Sequence, residues 1–161
     1  MQIVTSKSEV FVSFSGIKLI SVFTGASGDA CIKNDCAVRA FANITGCSYG
    51  YSHNAFEQAG REYNKGVTLQ VLLKMFSEDN GFEITVYGKT KTSKYISFIT
   101  NIECKKGTTI GSLLKDPNYK TGNYAVLIRG HVFAMIDGVV LDNGYIKANS
   151  VVSGVFKLKT N

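Results

Sequence analysis

The chain of 161 residues contains one proline, Pro117, and so no proline-rich linker of the kind that separates domains. It has no internal repeat and no low-complexity tract, and its length is that of one domain. Residues 1–161 are therefore expected to form a single domain that buries about two-thirds of its unfolded surface. A secretory signal is also lacking. The most apolar early stretch, Val10 to Phe23, is broken at strand-like intervals by Ser13, Ser15, Gly16, Lys18 and Ser21, and it reads as a hairpin. No obvious leader is seen, and a directly active form is expected. Cysteine is scarce: the four, at positions 31, 36, 47 and 104, include no C-x-x-C pair. That spacing lacks the close ligand pairs of a structural zinc site and gives no disulfide framework, so reduced thiols in a cytosol, without a metal, are the default. Histidine is scarcer still, with only His53 and His131.

Cys36 is the residue on which these few groups converge. It stands at the start of an apolar-periodic stretch in which Ala37, Val38, Phe41 and Ile44 recur at helical spacing and Gly46 is a C-cap. Asn34 or Asp35 serves as N-cap, placing Cys36 in the first turn. There the helix dipole and unpaired backbone N–H groups favour a thiolate, which is the nucleophilic form of a group whose ordinary pKa is about 8.5. The same amides suit an oxyanion. Cys31, Cys47 and Cys104 read as small buried or part-buried residues, and His53, with polar neighbours near a helix start, as a surface residue or cap.

The partner of Cys36 is sought downstream. Asp137-Gly138 is the dipeptide of a type I′ hairpin, which would pair Ile136 with Val139, Ala134 with Leu141 and Phe133 with Asp142. His131 and Asp142 then become diagonal neighbours, with Cβ atoms about 7 Å apart and side chains within reach of a hydrogen bond. A three-residue loop would exchange Asp142 for Asn143. Cys36, His131 and Asp142 are thus the candidate nucleophile, base and orienting acid, with Asn143 as the alternative third member.

The order of cysteine at a helix start, histidine on a strand and Asp or Asn on the next strand resembles that of papain-like cysteine peptidases. It is most similar to their minimal members in bacteriophages and bacteria, including the peptidases that trim double-glycine leaders. The matching text is Asn34-Asp35-Cys36 with Arg39-Ala40, Tyr124-Ala125-Val126-Leu127, Gly130-His131, and Asp137-Gly138 with Asp142, so the resemblance covers residues 34–145. It implies a papain-like α+β fold, in which an N-terminal helical lobe carrying the Cys36 helix packs on a C-terminal antiparallel sheet, with the cleft between them. It also implies a cytoplasmic protein, in a host cytoplasm if phage-encoded, that acts on a protein or peptide without a cofactor. Many relatives place a glutamine before the nucleophile to complete the oxyanion hole. The corresponding stretch, Gly28 to Ile32, has none, and Asn34 is the nearest amide side chain, equally suited to capping.

The rest of the chain supplies the framework. Ser52 to Asn64 carries Phe56, Ala59 and Tyr63 at helical spacing and ends at Gly66. Thr68 caps a second helix with Leu69, Leu72, Leu73 and Phe76, closed by Gly81. Phe82 to Tyr87 and, more weakly, Tyr95 to Ile102 read as strands, and Thr108 to Leu114 as a helix before Asp116-Pro117. The strands 124–128, 131–136, 139–142 and 151–158 follow. The N-terminal hairpin, up to Gly25, lies outside the resemblance; an added strand pair, a substrate-binding edge and a partner surface all remain open for it.

A net charge of +6 with Lys89, Lys91 and Lys94 clustered raises nucleic acid as a partner. No recognised motif accompanies these lysines, and an ordinary lysine-rich surface accounts for them more simply; an acidic peptide substrate or protein partner would use the same field. Nothing suggests membrane association. Three functions remain: hydrolysis of an amide or isopeptide bond through an acyl-thioester, transglutaminase-like or deamidating transfer through the same intermediate, and capture of a host partner by a non-catalytic phage protein of the same fold.

Overall fold

The computed structural model describes residues 7–12, 18–23, 34–63, 65–142 and 146–160. The chain is α+β. Helix α1 (Cys36–Thr45) begins the described core and buries Ala37, Val38, Ala40, Phe41, Ala42 and Ile44, so it is enclosed on most of its circumference. Gly46, at φ 77°, ends it and returns its N–H to the Ala42 carbonyl at 2.9 Å, the left-handed cap that glycine adopts without steric cost. Helix α2 (Tyr49–Gln58) is capped by Ser48, whose hydroxyl accepts the Tyr51 N–H. It is tied to α1 where the Ser52 hydroxyl donates to the Val38 carbonyl at 2.8 Å. Helix α3 (Leu69–Met75) is capped by Thr68 through the Val71 N–H.

These helices cover one face of a mixed sheet whose described strands are β1 (Lys7–Val12), β2 (Lys18–Phe23), β3 (Phe82–Val86), β4 (Thr108–Thr109), β5 (Asn123–Ile128), β6 (His131–Ile136), β7 (Val139–Leu141) and β8 (Val151–Leu158). The order is β1-β2-β7-β6-β5-β8-β3, with β4 paired beside β8. All pairings are antiparallel except β2 on β7, so the N-terminal hairpin extends the sheet by a parallel junction. Alternate residues of β5 and β6 divide between the faces. Ala125, Leu127, Val132 and Ala134 meet α1 and its neighbours, while Val126, Phe133 and Met135 meet Ile110 and Leu113 on the far side. Both faces are covered, which is why NYAVLI and HVFAMI read as almost unbroken apolar runs. Phe41 of α1 lies 5.6 Å from both Phe56 and Phe76 in edge contacts, and Phe76 stacks on Phe156 of β8 at 5.2 Å. These rings fix the α1 helix against the sheet.

Several local expectations are corrected. Tyr95 to Ile102 is not a strand: helix α4 (Lys91–Thr100) occupies most of it, capped by Thr90 through the Ser93 N–H and ended by Asn101 at φ 58°. Its β-branched and aromatic residues favour strand locally, but the cap and the buried Ser93–Ile96 pair, three residues apart, decide for helix. Helix α2 starts three residues before Ser52 and stops at Gln58 because Ser48 takes the cap and Gly60 leaves the helical region at φ 119°; Tyr63 lies beyond it, exposed. Helix α3 ends at Met75, and Gly81 instead closes a separate 3₁₀ turn, Glu78–Asn80. Thr108 and Thr109 pair with β8, so helix α5 begins at Ile110 and runs to Lys115. No helix among the described residues is long and apolar enough to cross a membrane.

Candidate active site

The hairpin joining β6 to β7 sets the first half of the site. Asp137 and Gly138 have φ of 49° and 77°, as a type I′ turn requires, and the register is Ile136 with Val139 and Ala134 with Leu141. Asp142 follows directly after β7, and its Oδ2 lies 2.9 Å from Nε2 of His131 at the start of β6. The carboxylate is buried, while about a quarter of the ring, 28%, faces solvent.

The packing of α1 on β6 brings Cys36 to the same place. There the Cys36 thiol and the His131 imidazole lie close enough for each to shift the proton affinity of the other. Burial pushes the thiol up, but the hydrogen bond with His131, the backbone groups of Val132 and Ala37, and the charge of the imidazolium together bring it below its ordinary value. The hydrogen bond to Asp142 and then that to Cys36 raise His131, against the opposing effect of burial, to about 10. Both shifts favour the thiolate–imidazolium form of the pair.

The N-cap of α1 is organised differently from a simple side-chain cap. Asp35 occupies the position but makes no cap bond. Its Oδ2 accepts from Arg39 Nε at 2.9 Å and from the Tyr49 hydroxyl at 2.7 Å. Burial, then the carboxylate, raises the Tyr49 phenol above its usual value. Asn34 has a positive φ of 57°, and its carbonyl accepts a 3.4 Å bond from Arg61. A cavity of about 280 Å³ holds Asn34, Cys36 and His131 together, with Leu69, Thr92 and Leu127 among its walls.

Of the residues singled out in the sequence, Cys36, His131 and Asp142 are brought together and Asn34 lies at the rim of their cavity; Asn143 and Cys31 fall outside the described residues. Cys47 and Cys104 are part-buried. His53 is neither a cap nor a surface residue: its side chain is only 13% exposed, 3.7 Å from Glu57 and between the rings of Tyr49 and Tyr63. The supports of Asp35 escaped the sequence reading. The Asp35–Arg39 spacing of four on a helix signals one of them, whereas Tyr49, fourteen residues on, carries no local signal.

Searches of protein-family models, of curated proteins and of solved structures give no match to this chain.

Proposed function

We propose that this protein is a cysteine hydrolase of papain-like arrangement that cleaves an amide bond, peptide or isopeptide, in a protein or peptide substrate. The observation that supports it is that Cys36 and His131 share one cavity and Asp142 bonds the far side of the ring, with the thiol lowered at a helix start and the imidazole raised by a buried carboxylate. In this reading the Cys36 thiolate attacks the carbonyl carbon, and the oxyanion is met by the Cys36 backbone N–H with Asn34. His131 gives its proton to the departing amine as the C–N bond breaks, leaving a thioester. A water then enters, gives a proton to His131 and attacks the thioester carbon; the C–S bond breaks, releasing the acid and restoring the thiolate. Asp142 holds the ring beside the sulfur throughout. The chemistry needs no cofactor.

The test is the rate of Cys36 alkylation by iodoacetamide against pH, read by peptide mass spectrometry, with Cys31, Cys47 and Cys104 as internal controls. Cys36 is expected to react at a pH well below the other three, and His131→Ala to abolish that advantage. Burial, the largest influence on the thiol, would then be opposed only by backbone groups. A Cys36 that titrates like its neighbours, or stays inert until unfolding, removes the hydrolase and leaves partner capture.

A further inference from the structure

Thr92 and Ile128 belong to two cavities at once. On one side they wall the cavity of about 280 Å³ that holds Cys36 and His131. On the other they open onto a larger one of about 760 Å³, lined also by Lys91, Arg129, Ser150 and Val151. The second cavity has a definite electrical character. Lys91 opens α4 and Arg129 sits in the β5–β6 turn two residues before His131, both exposed. Among the described residues no aspartate or glutamate lines this cavity, and neither cation has a carboxylate within ion-pair distance. Thr92 and Ser150 add hydroxyl-bearing side chains to its lining. Val151, 51% exposed, and Ile128 offer apolar surface to an aliphatic stem. Two cations, hydroxyl donors and an apolar wall, next to a nucleophile's cavity, are what a carboxylate on a short methylene chain requires.

We propose that this second cavity is a subsite for a carboxylate of the substrate, so that the enzyme selects an acidic peptide and positions its scissile bond at Cys36 through Lys91 and Arg129. The assignment rests on the cysteine-hydrolase reading and adds a substrate class to it. Selection here is electrostatic. It gives a preference in the rate of productive binding that weakens as salt screens the two exposed cations.

The probes are peptides built on both carboxyl groups of an epoxysuccinyl core, so that residues extend to either side of the electrophile. Each is amidated at its C-terminus and carries a single Glu, Gln or Lys at one of the positions nearest the core. The second-order rate of Cys36 alkylation, read by intact mass, is compared across the set. At one position Glu is expected to react about tenfold faster than Gln, with Lys slower still, and the advantage to shrink between about 0.05 and 0.5 M salt. Lys91→Ala with Arg129→Ala should erase the preference, so that the Glu and Gln probes react at the same rate, and Lys91→Glu with Arg129→Glu should transfer it to Lys. An otherwise neutral probe with a free C-terminal carboxylate separates a chain terminus from a side chain as the source of the charge; a gain with either supports the subsite. Equal rates for Glu, Gln and the free acid, with Cys36 labelled normally, overturn the subsite and leave the hydrolase standing. Cys36 inert to every probe and to iodoacetamide overturns both. Labelling slowed by a single-stranded oligonucleotide, with no charge preference among the peptides, assigns the cations to nucleic acid and overturns the proposal.

Discussion

Asp142 Oδ2 and His131 Nε2 meet at 2.9 Å across the open end of a hairpin whose other end is fixed by Asp137 and Gly138. The carboxylate is the largest influence holding the imidazole up at about 10. Asp142→Asn keeps the shape and removes the charge. The His131 titration, followed by NMR of its ring protons, should move to lower pH. Alkylation of Cys36 at neutral pH should slow by about tenfold or more, since less of the thiol is then ionised.

The same pair makes stability depend on pH. The folded-state value of His131, about 10, lies above the ordinary histidine value of about 6.5. The stability it contributes is therefore fully present below about pH 6.5 and lost as pH rises through about 10. Cys36 is lowered, so its contribution is present above the ordinary thiol value and lost as pH falls through the lowered one. Urea unfolding of the native protein and of Asp142→Asn should differ by about 2 kcal/mol at pH 6, in keeping with a hydrogen bond to a charged group, and the curves should converge above pH 10. A difference that grows with pH would mean that the ring is held neutral in the folded protein.

Residues 131–142 were legible because each of their determinants is local: a turn dipeptide sets the register, and the register sets the diagonal. Helix α1 was legible for the same reason, from Cys36 to its glycine cap. What the sequence did not disclose depends on tertiary contact. Tyr95, Ile96 and Ile99 favour a strand by composition, yet Thr90 caps a helix whose Ile96 is buried against the sheet. Asp35 looked like a cap and is instead drawn to Arg39 and Tyr49, because a buried carboxylate gains more from two donors than from one backbone amide. The parallel junction of β2 with β7 joins segments more than a hundred residues apart, and no pattern within either strand specifies such a pairing.

Gly138 is the position at which the hairpin can be tested without touching Cys36, His131 or Asp142. Its φ is 77°, while a Cβ there would meet nothing closer than the Lys120 backbone at 3.8 Å. The cost of substitution is thus conformational and not steric. Gly138→Ala should lower stability by about 1 kcal/mol, and Gly138→Asn, which tolerates the left-handed region, by less. Chemical denaturation of the two variants side by side gives the comparison. Equal losses would mean that the turn has relaxed out of its type I′ form.

Tyr49 tests the base of helix α1. Its hydroxyl donates to Asp35 Oδ2 at 2.7 Å within the core, and Arg39 donates to the same oxygen. Removing the hydroxyl leaves a buried carboxylate with one of its two side-chain donors, which should cost about 1–2 kcal/mol and lower Tm by roughly 3–6 °C for a domain of this size. Asp35 immediately precedes Cys36, so the Tyr49→Phe variant also asks whether that buried contact positions the sulfur. The first turn of α1 is held independently by Ala37 and Val38 in the core and by the Ser52 bond to the Val38 carbonyl. The pH profile of Cys36 alkylation should therefore stay within about twofold of the native protein while Tm falls. A profile that moves with Tm would make Asp35 and Tyr49 positioning residues for the nucleophile, and restoring the phenol should then recover both together.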